Sequence, residues 1–107
     1  MEKLKEPGTC PDIEEIRTEI DKIDCEIVGL FALRNRFVER IVDFKDDEEG
    51  IIAIERKSFV ISKVADLARG NGLKPELFEK IYTLLIEDNI SREMELLKIR
   101  KSKLESF

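Results

Sequence analysis

The sequence has no histidine. That removes any Cys/His zinc site and the commonest base for a catalytic nucleophile. Only two cysteines occur, Cys10 and Cys25. Two do not make a disulfide framework, so they read as reduced thiols of a cytoplasmic protein. Glycine (5) and proline (3) are scarce and cluster outside the helical stretches, which disfavours a sheet protein. No run approaches the roughly 18 apolar residues of a membrane span. Residues 1–11 lack the apolar h-region of a signal peptide. No basic block stands out against a net charge of −5, which argues against a nucleic-acid partner. A glycine-rich phosphate loop and a metal-ligand cluster are missing too.

What remains is helical. The apolar share, 42%, supports a core, and the charged share, 40%, suits long solvated helices. The 107 residues predict one domain. Residues 1–11 read as a flexible N-terminal segment and 12–107 as a single helical domain. Thr9 or Asp12 is suited to cap the first helix, with Glu15 completing a capping box in the second case. From Ile13 to Lys45 apolar residues follow a 3-4-3-4 spacing: Ile13, Ile16, Ile20, Ile23, Ile27, Leu30, then Phe37, Ile41 and Phe44. This predicts one helix of about 33 residues, roughly 50 Å long. At the step between Leu30 and Phe37 stands Arg34, where the seam asks for an apolar residue. A guanidinium there is costly unless it is paired or faces a charged ligand.

Asp46-Asp47-Glu48-Glu49-Gly50 reads as a solvated break or a mobile lid. A second helix is predicted from Ile52 or Ala53 to Arg69, on the stripe Ile54, Val60, Ile61, Val64, Leu67, Ala68. Gly70 or Asn71 is suited to a left-handed cap at its end. Pro75 opens a third helix that runs beyond Arg100. The expected fold is therefore all-α, a three-helix protomer of long, short and long helices. Such a set does not close a core alone, so an intertwined homodimer is expected.

Several polar groups interrupt the apolar faces. On a continuous helix Arg34 and Lys45 lie about 20° apart around the axis and about 16.5 Å along it. They can converge on a small dianion; equally, Lys45 can serve the helix dipole and Arg34 a buried salt bridge. Arg17 lies about 25 Å from Arg34 along a straight helix, too far to share a small ligand within one chain. An antiparallel partner helix would deliver its Arg17 to this chain's Arg34. Arg56, early in the second helix, can close the ring or sit on the surface. Asn89 and Glu93 are one turn apart on the third helix and supply amide or acid donors, or a polar pair facing water. Cations for carboxylates and donors for an ether oxygen suit catalysis by holding and electrostatics, without covalent steps.

These residues resemble a known family. Ile16-Arg17-Thr18-Glu19-Ile20-Asp21-Lys22-Ile23-Asp24, followed by Ile27-Val28, Leu30, Arg34, Val38 and Lys45, is similar to the first helix of the all-α chorismate mutases, chorismate mutase type II. Asn71-Gly72-Leu73, Ile81-Tyr82 and Leu85-Ile86-Glu87-Asp88-Asn89-Ile90 are similar to their third helix. The related isochorismate–pyruvate lyases share the fold and spacing. The resemblance implies a homodimer with two sites, each using both chains, and a [3,3] rearrangement of chorismate to prephenate needing no cofactor and no metal. It implies that Arg17 reaches a substrate carboxylate from the partner chain and that Arg34 binds a carboxylate. It gives Lys45 a carboxylate and the breaking ether oxygen. Arg56 would bind near the ring, Asn89 border the carboxylate pocket, and Glu93 contact the ether oxygen.

Three departures matter. The family usually has glutamine where Glu93 stands, although some mutases carry glutamate there, and a glutamate must be protonated to donate. Apolar neighbours such as Ile90 and Leu97 raise its pKa and Lys45 lowers it. The acids that bacterial mutases often carry early in the second helix, which recognise the ring hydroxyl, are replaced by Ala53 and Lys57. Finally, the Cys-Pro-Asp-Ile lead-in and the segments Phe44-Lys45 and Ile51 to Arg56 are more similar to the lyases. The expected function is chorismate mutase. The alternatives are isochorismate–pyruvate lyase, yielding salicylate and pyruvate, and a non-catalytic helical dimerisation or regulatory module. No dehydratase, dehydrogenase or allosteric domain is expected within the chain, so such coupling would come from another one.

Overall fold

The computed structural model describes residues 3–105, the side chain of Glu49 excepted; Met1, Glu2, Ser106 and Phe107 lie outside that description. The described residues form helices α1 (Ile13–Ile41), α2 (Glu48–Ile52), α3 (Ile54–Gly70) and α4 (Pro75–Glu105). Short 3₁₀ turns occupy Pro7–Thr9 and Val42–Phe44. No strand is present among the described residues. Nor is any helix there long and apolar enough to cross a membrane. The all-α, long-short-long expectation holds, with α2 as an extra short turn of helix. The chain falls into two units, Met1–Arg36 and Phe37–Phe107.

In the first unit Asp12 is the cap of α1. Its Oδ1 accepts the Glu15 backbone N–H at 2.9 Å, satisfying one of the helix's orphan donors. The Glu15 carboxylate is turned to Lys5 Nζ at 3.2 Å. Lys5 also gives its backbone N–H to Glu19 at 3.3 Å. Glu19 is buried, and Lys22 Nζ meets it at 3.1 Å. These donors hold the Glu19 carboxyl below the usual glutamate range, the Lys22 hydrogen bond contributing most. The apolar row of α1, by contrast, stays exposed: Ile13, Ile16, Ile20, Ile23, Ile27 and Leu30 all do.

In the second unit α3 packs along α4, and α2 and the Val42–Phe44 turn also touch α4. The core there is Val42, Ile51 and Leu97, with Ile90, Met94 and Leu96 against it. Arg92 ties α4 to Glu39, in the last turns of α1, at 3.2 Å.

Three boundaries differ from the sequence expectation. The first helix stops at Ile41, and Lys45 is extended, at φ −112° and ψ 134°. The acidic run is not wholly a break: Asp47 Oδ1 accepts the Gly50 N–H at 2.8 Å and caps α2. Acids that repel one another in a loop are favoured at a helix N-terminus, where the dipole and the orphan N–H groups attract them. Ala53 then separates α2 from α3 in the left-handed region, at φ 38° and ψ 63°. At the far end of α3 Gly72, rather than Gly70 or Asn71, takes positive φ, at 73°. Leu73 N–H closes onto the Ala68 carbonyl at 2.8 Å, while the Asn71 side chain donates to the Leu67 carbonyl at 2.7 Å. These bonds satisfy the last carbonyls of the helix.

Candidate functional site

The second unit brings Lys45 and Glu93 together. Glu93 lies on α4 and is 6% exposed. Burial pushes its carboxyl above the usual glutamate range, and the nearby Lys45 charge opposes that rise. Desolvation is the larger influence, because removing water penalises the charged form more than one partly solvated cation restores it. Glu93 is thus biased towards its acid form, in which it can donate a hydrogen bond. Asn89, one turn earlier on α4, is 7% exposed. The two polar side chains therefore share the inward face of α4 with Ile86 and Leu97.

Lys45 is half-buried and its ammonium donates to the Gly50 carbonyl. It does not sit on α1, so the angular and axial separation from Arg34 expected of a continuous helix does not apply to it. What sets its position is the 3₁₀ turn and α4. Lys45 N–H bonds to the Val42 carbonyl at 3.1 Å. Arg100 donates to the same carbonyl at 2.6 Å and to the Lys45 carbonyl. Arg100 had no role in the sequence reading. Helical spacing places it on one face with Glu93 and Leu97, but its contact with the turn after α1 has no signal in the sequence.

Arg56 lies in the first turn of α3, exposed, its guanidinium 5.4 Å from the centre of the Phe59 ring. It borders an open cleft of about 570 Å³ lined by Ile52, Ala53, Ile54, Glu55 and Arg56. The lining carries no carboxylate at Ala53, and among the described residues Glu55 is its one acid. Arg17 and Arg34 belong to the first unit. Arg34 is half-buried. Arg17 is exposed and meets Glu14, three residues earlier, at 3.1 Å. Pairs of that kind contribute little, so Arg17 is readily redirected to another anion.

Chemically, Lys45 and Glu93 offer a cation and an acid proton to one oxygen that gains negative charge.

The family described as chorismate mutase type II matches residues 16–94. The chain is 31% identical over 87 residues to the bifunctional chorismate mutase/prephenate dehydratase of Buchnera aphidicola subsp. Schizaphis graminum, covering 80% of this chain and 23% of that protein. It is 31% identical over 91 residues to the isochorismate pyruvate lyase of Pseudomonas aeruginosa, covering 85% of this chain and 90% of the lyase. The chorismate mutase of Methanocaldococcus jannaschii is 28% identical over 93 residues, with 85% and 93% covered. The chain thus spans about a quarter of the bifunctional relatives and nearly the whole of the other two.

Proposed function

Since the chain belongs to the chorismate mutase type II family, we propose that it converts chorismate to prephenate by a cofactor-free [3,3] rearrangement. The observation that carries this reading is the pair Lys45 and Glu93, an ammonium beside a buried carboxyl biased towards its acid form. In the rearrangement the ether C–O bond breaks as a new C–C bond forms, and the ether oxygen gains negative charge. Lys45 and protonated Glu93 both stabilise that charge, and neither forms a covalent bond to substrate. Arg34, and Arg17 of a second copy, hold the two carboxylates, so that the reacting ends stay in contact. Asn89 borders the carboxylate pocket and Arg56 the ring. The working form is a homodimer, in which the exposed apolar row of α1 is covered by its counterpart. A cytoplasmic location fits the free thiols of Cys10 and Cys25.

A second reading has its own support. Ala53 and Lys57 stand where bacterial mutases often carry acids for the ring hydroxyl, and chorismate and isochorismate differ in where that hydroxyl sits. The same cations would then assist isochorismate cleavage: the C–O bond breaks, a ring hydrogen moves to the departing enolpyruvyl carbon, and salicylate and pyruvate result. Giving purified protein each substrate separately decides between them. Prephenate from chorismate is the expected product. Salicylate with pyruvate from isochorismate, and no prephenate, would replace the mutase reading with the lyase. Turnover of neither would leave a non-catalytic helical module. Arg34→Ala is expected to abolish either activity, and full activity in that variant would overturn the site assignment.

A further inference from the structure

The end of α1 leaves carbonyl groups without helical partners, as every helix does. Just past the end of α1, one side chain from α4 binds two further carbonyls, those of Val42 and Lys45. The Arg100 guanidinium donates to the Val42 carbonyl at 2.6 Å and to the Lys45 carbonyl. These two acceptors bracket the 3₁₀ turn Val42–Phe44, and Val42 O is shared with the Lys45 N–H at 3.1 Å. Arg100 therefore fixes the Lys45 backbone from both sides, while the Lys45 ammonium is anchored at the Gly50 carbonyl. The approach at Gly50 is close: a Cβ there would stand 3.3 Å from Asp47 Oδ1 and 3.5 Å from Lys45 Cδ. An ammonium carries three donors, so the Gly50 bond does not exhaust Lys45. Arg100 and Glu93 lie on the same helix and the same face, so the group that positions Lys45 is rigidly linked to the acid it works beside.

We propose that Arg100 is a positioning residue for the reaction, acting through the backbone of Lys45 to hold the ammonium beside Glu93. The proposal rests on the reading of Lys45 as a reaction-site cation. A guanidinium fork suits the task because two divergent carbonyls need two donors at fixed separation, which a lysine does not offer.

The test uses the full chain with Arg100→Met and Arg100→Lys, alone and combined with Lys45→Met, each checked for helical signal and thermal unfolding. In Arg100→Met the Lys45 amide is expected to exchange its hydrogen at least about tenfold faster, with core amides of α3 unchanged. On chorismate, kcat is expected to fall about 10- to 100-fold, the scale of a misplaced catalytic group, with a smaller change in KM. Arg100→Lys should recover part of the loss. In the Lys45→Met background the same Arg100 substitution should change kcat by less than about twofold, because a residue acting through Lys45 has nothing left to position. Losses that multiply across the two sites, or an unchanged Lys45 amide, overturn the proposal. If the wild type turned over neither chorismate nor isochorismate, the proposed function would fail; the exchange measurement would still decide whether Arg100 holds the turn.

Discussion

In the proposed reaction Glu93 is the residue on which the chemistry turns, and its behaviour with pH follows from its surroundings. A carboxyl raised by burial releases its proton at higher pH in the folded chain than in the unfolded one. Only the acid form donates to an ether oxygen. Turnover is therefore expected to rise as pH falls from neutrality through the raised pKa, and Glu93→Gln, a permanent donor, should flatten that rise. A wild-type kcat/KM that stays level between about pH 5 and 8 would remove the protonated-acid role. The same shift has a stability consequence of definite sign. Above the ordinary glutamate pKa the unfolded state has already lost its proton, so stability declines as pH climbs to the folded value. In Glu93→Gln that part of the decline should vanish from urea titrations run across the range. Both influences on Glu93 were legible in the sequence, because Ile90 and Leu97 flank it at helical spacing and Lys45 is the cation expected beside it. Arg100 was not. Its importance depends on where α1 ends, and periodicity cannot see the end of a helix whose apolar spacing continues to Phe44.

At the scale of elements, the informative segment is the one joining α1 to α3. The 3-4 pattern predicted helix to Lys45, yet the backbone leaves the helix at Ile41, where Val42 is buried against α4 and Arg100 binds the Val42 and Lys45 carbonyls of the turn that follows. Tertiary contacts override local periodicity here, as they commonly do. The acidic run misled in the other direction, since Asp47 caps a short helix that charge repulsion alone would forbid. Ala53 carries the most unusual backbone of the segment. The left-handed conformation costs an L-residue about 1–2 kcal/mol, while glycine adds back about 0.5–1 kcal/mol of unfolded-state entropy. Ala53→Gly is accordingly expected to stabilise the fold by up to about 1 kcal/mol, and Ala53→Val to destabilise it, because β-branching is poorly tolerated there. Urea midpoints at unchanged m-value measure both. A Gly variant less stable than wild type would show that this conformation carries no net strain.

At the scale of the whole molecule, the exposed row on α1 is the feature that one chain leaves unresolved. Leu30 is 62% exposed and Ile13 58%, and an apolar stripe of that kind is a mark of association rather than of an isolated surface. The sequence leads to the same expectation from helix length and from the distance between Arg17 and Arg34, which a single helix cannot reduce. If the working site takes Arg34 from one protomer and Arg17 from the other, complementation follows from symmetry. Arg17→Ala and Arg34→Ala homodimers should each lose nearly all activity. Mixed and refolded together, half of the dimers should be heterodimers on random pairing. Each heterodimer holds one site with both arginines and one with neither, so the mixture should recover roughly a quarter of wild-type activity. Were both arginines supplied by the same chain, every site in the mixture would lack one of them. The mixture would then be as inactive as its components. Sedimentation of the mixed sample, run beside the assay, separates failed assembly from failed complementation.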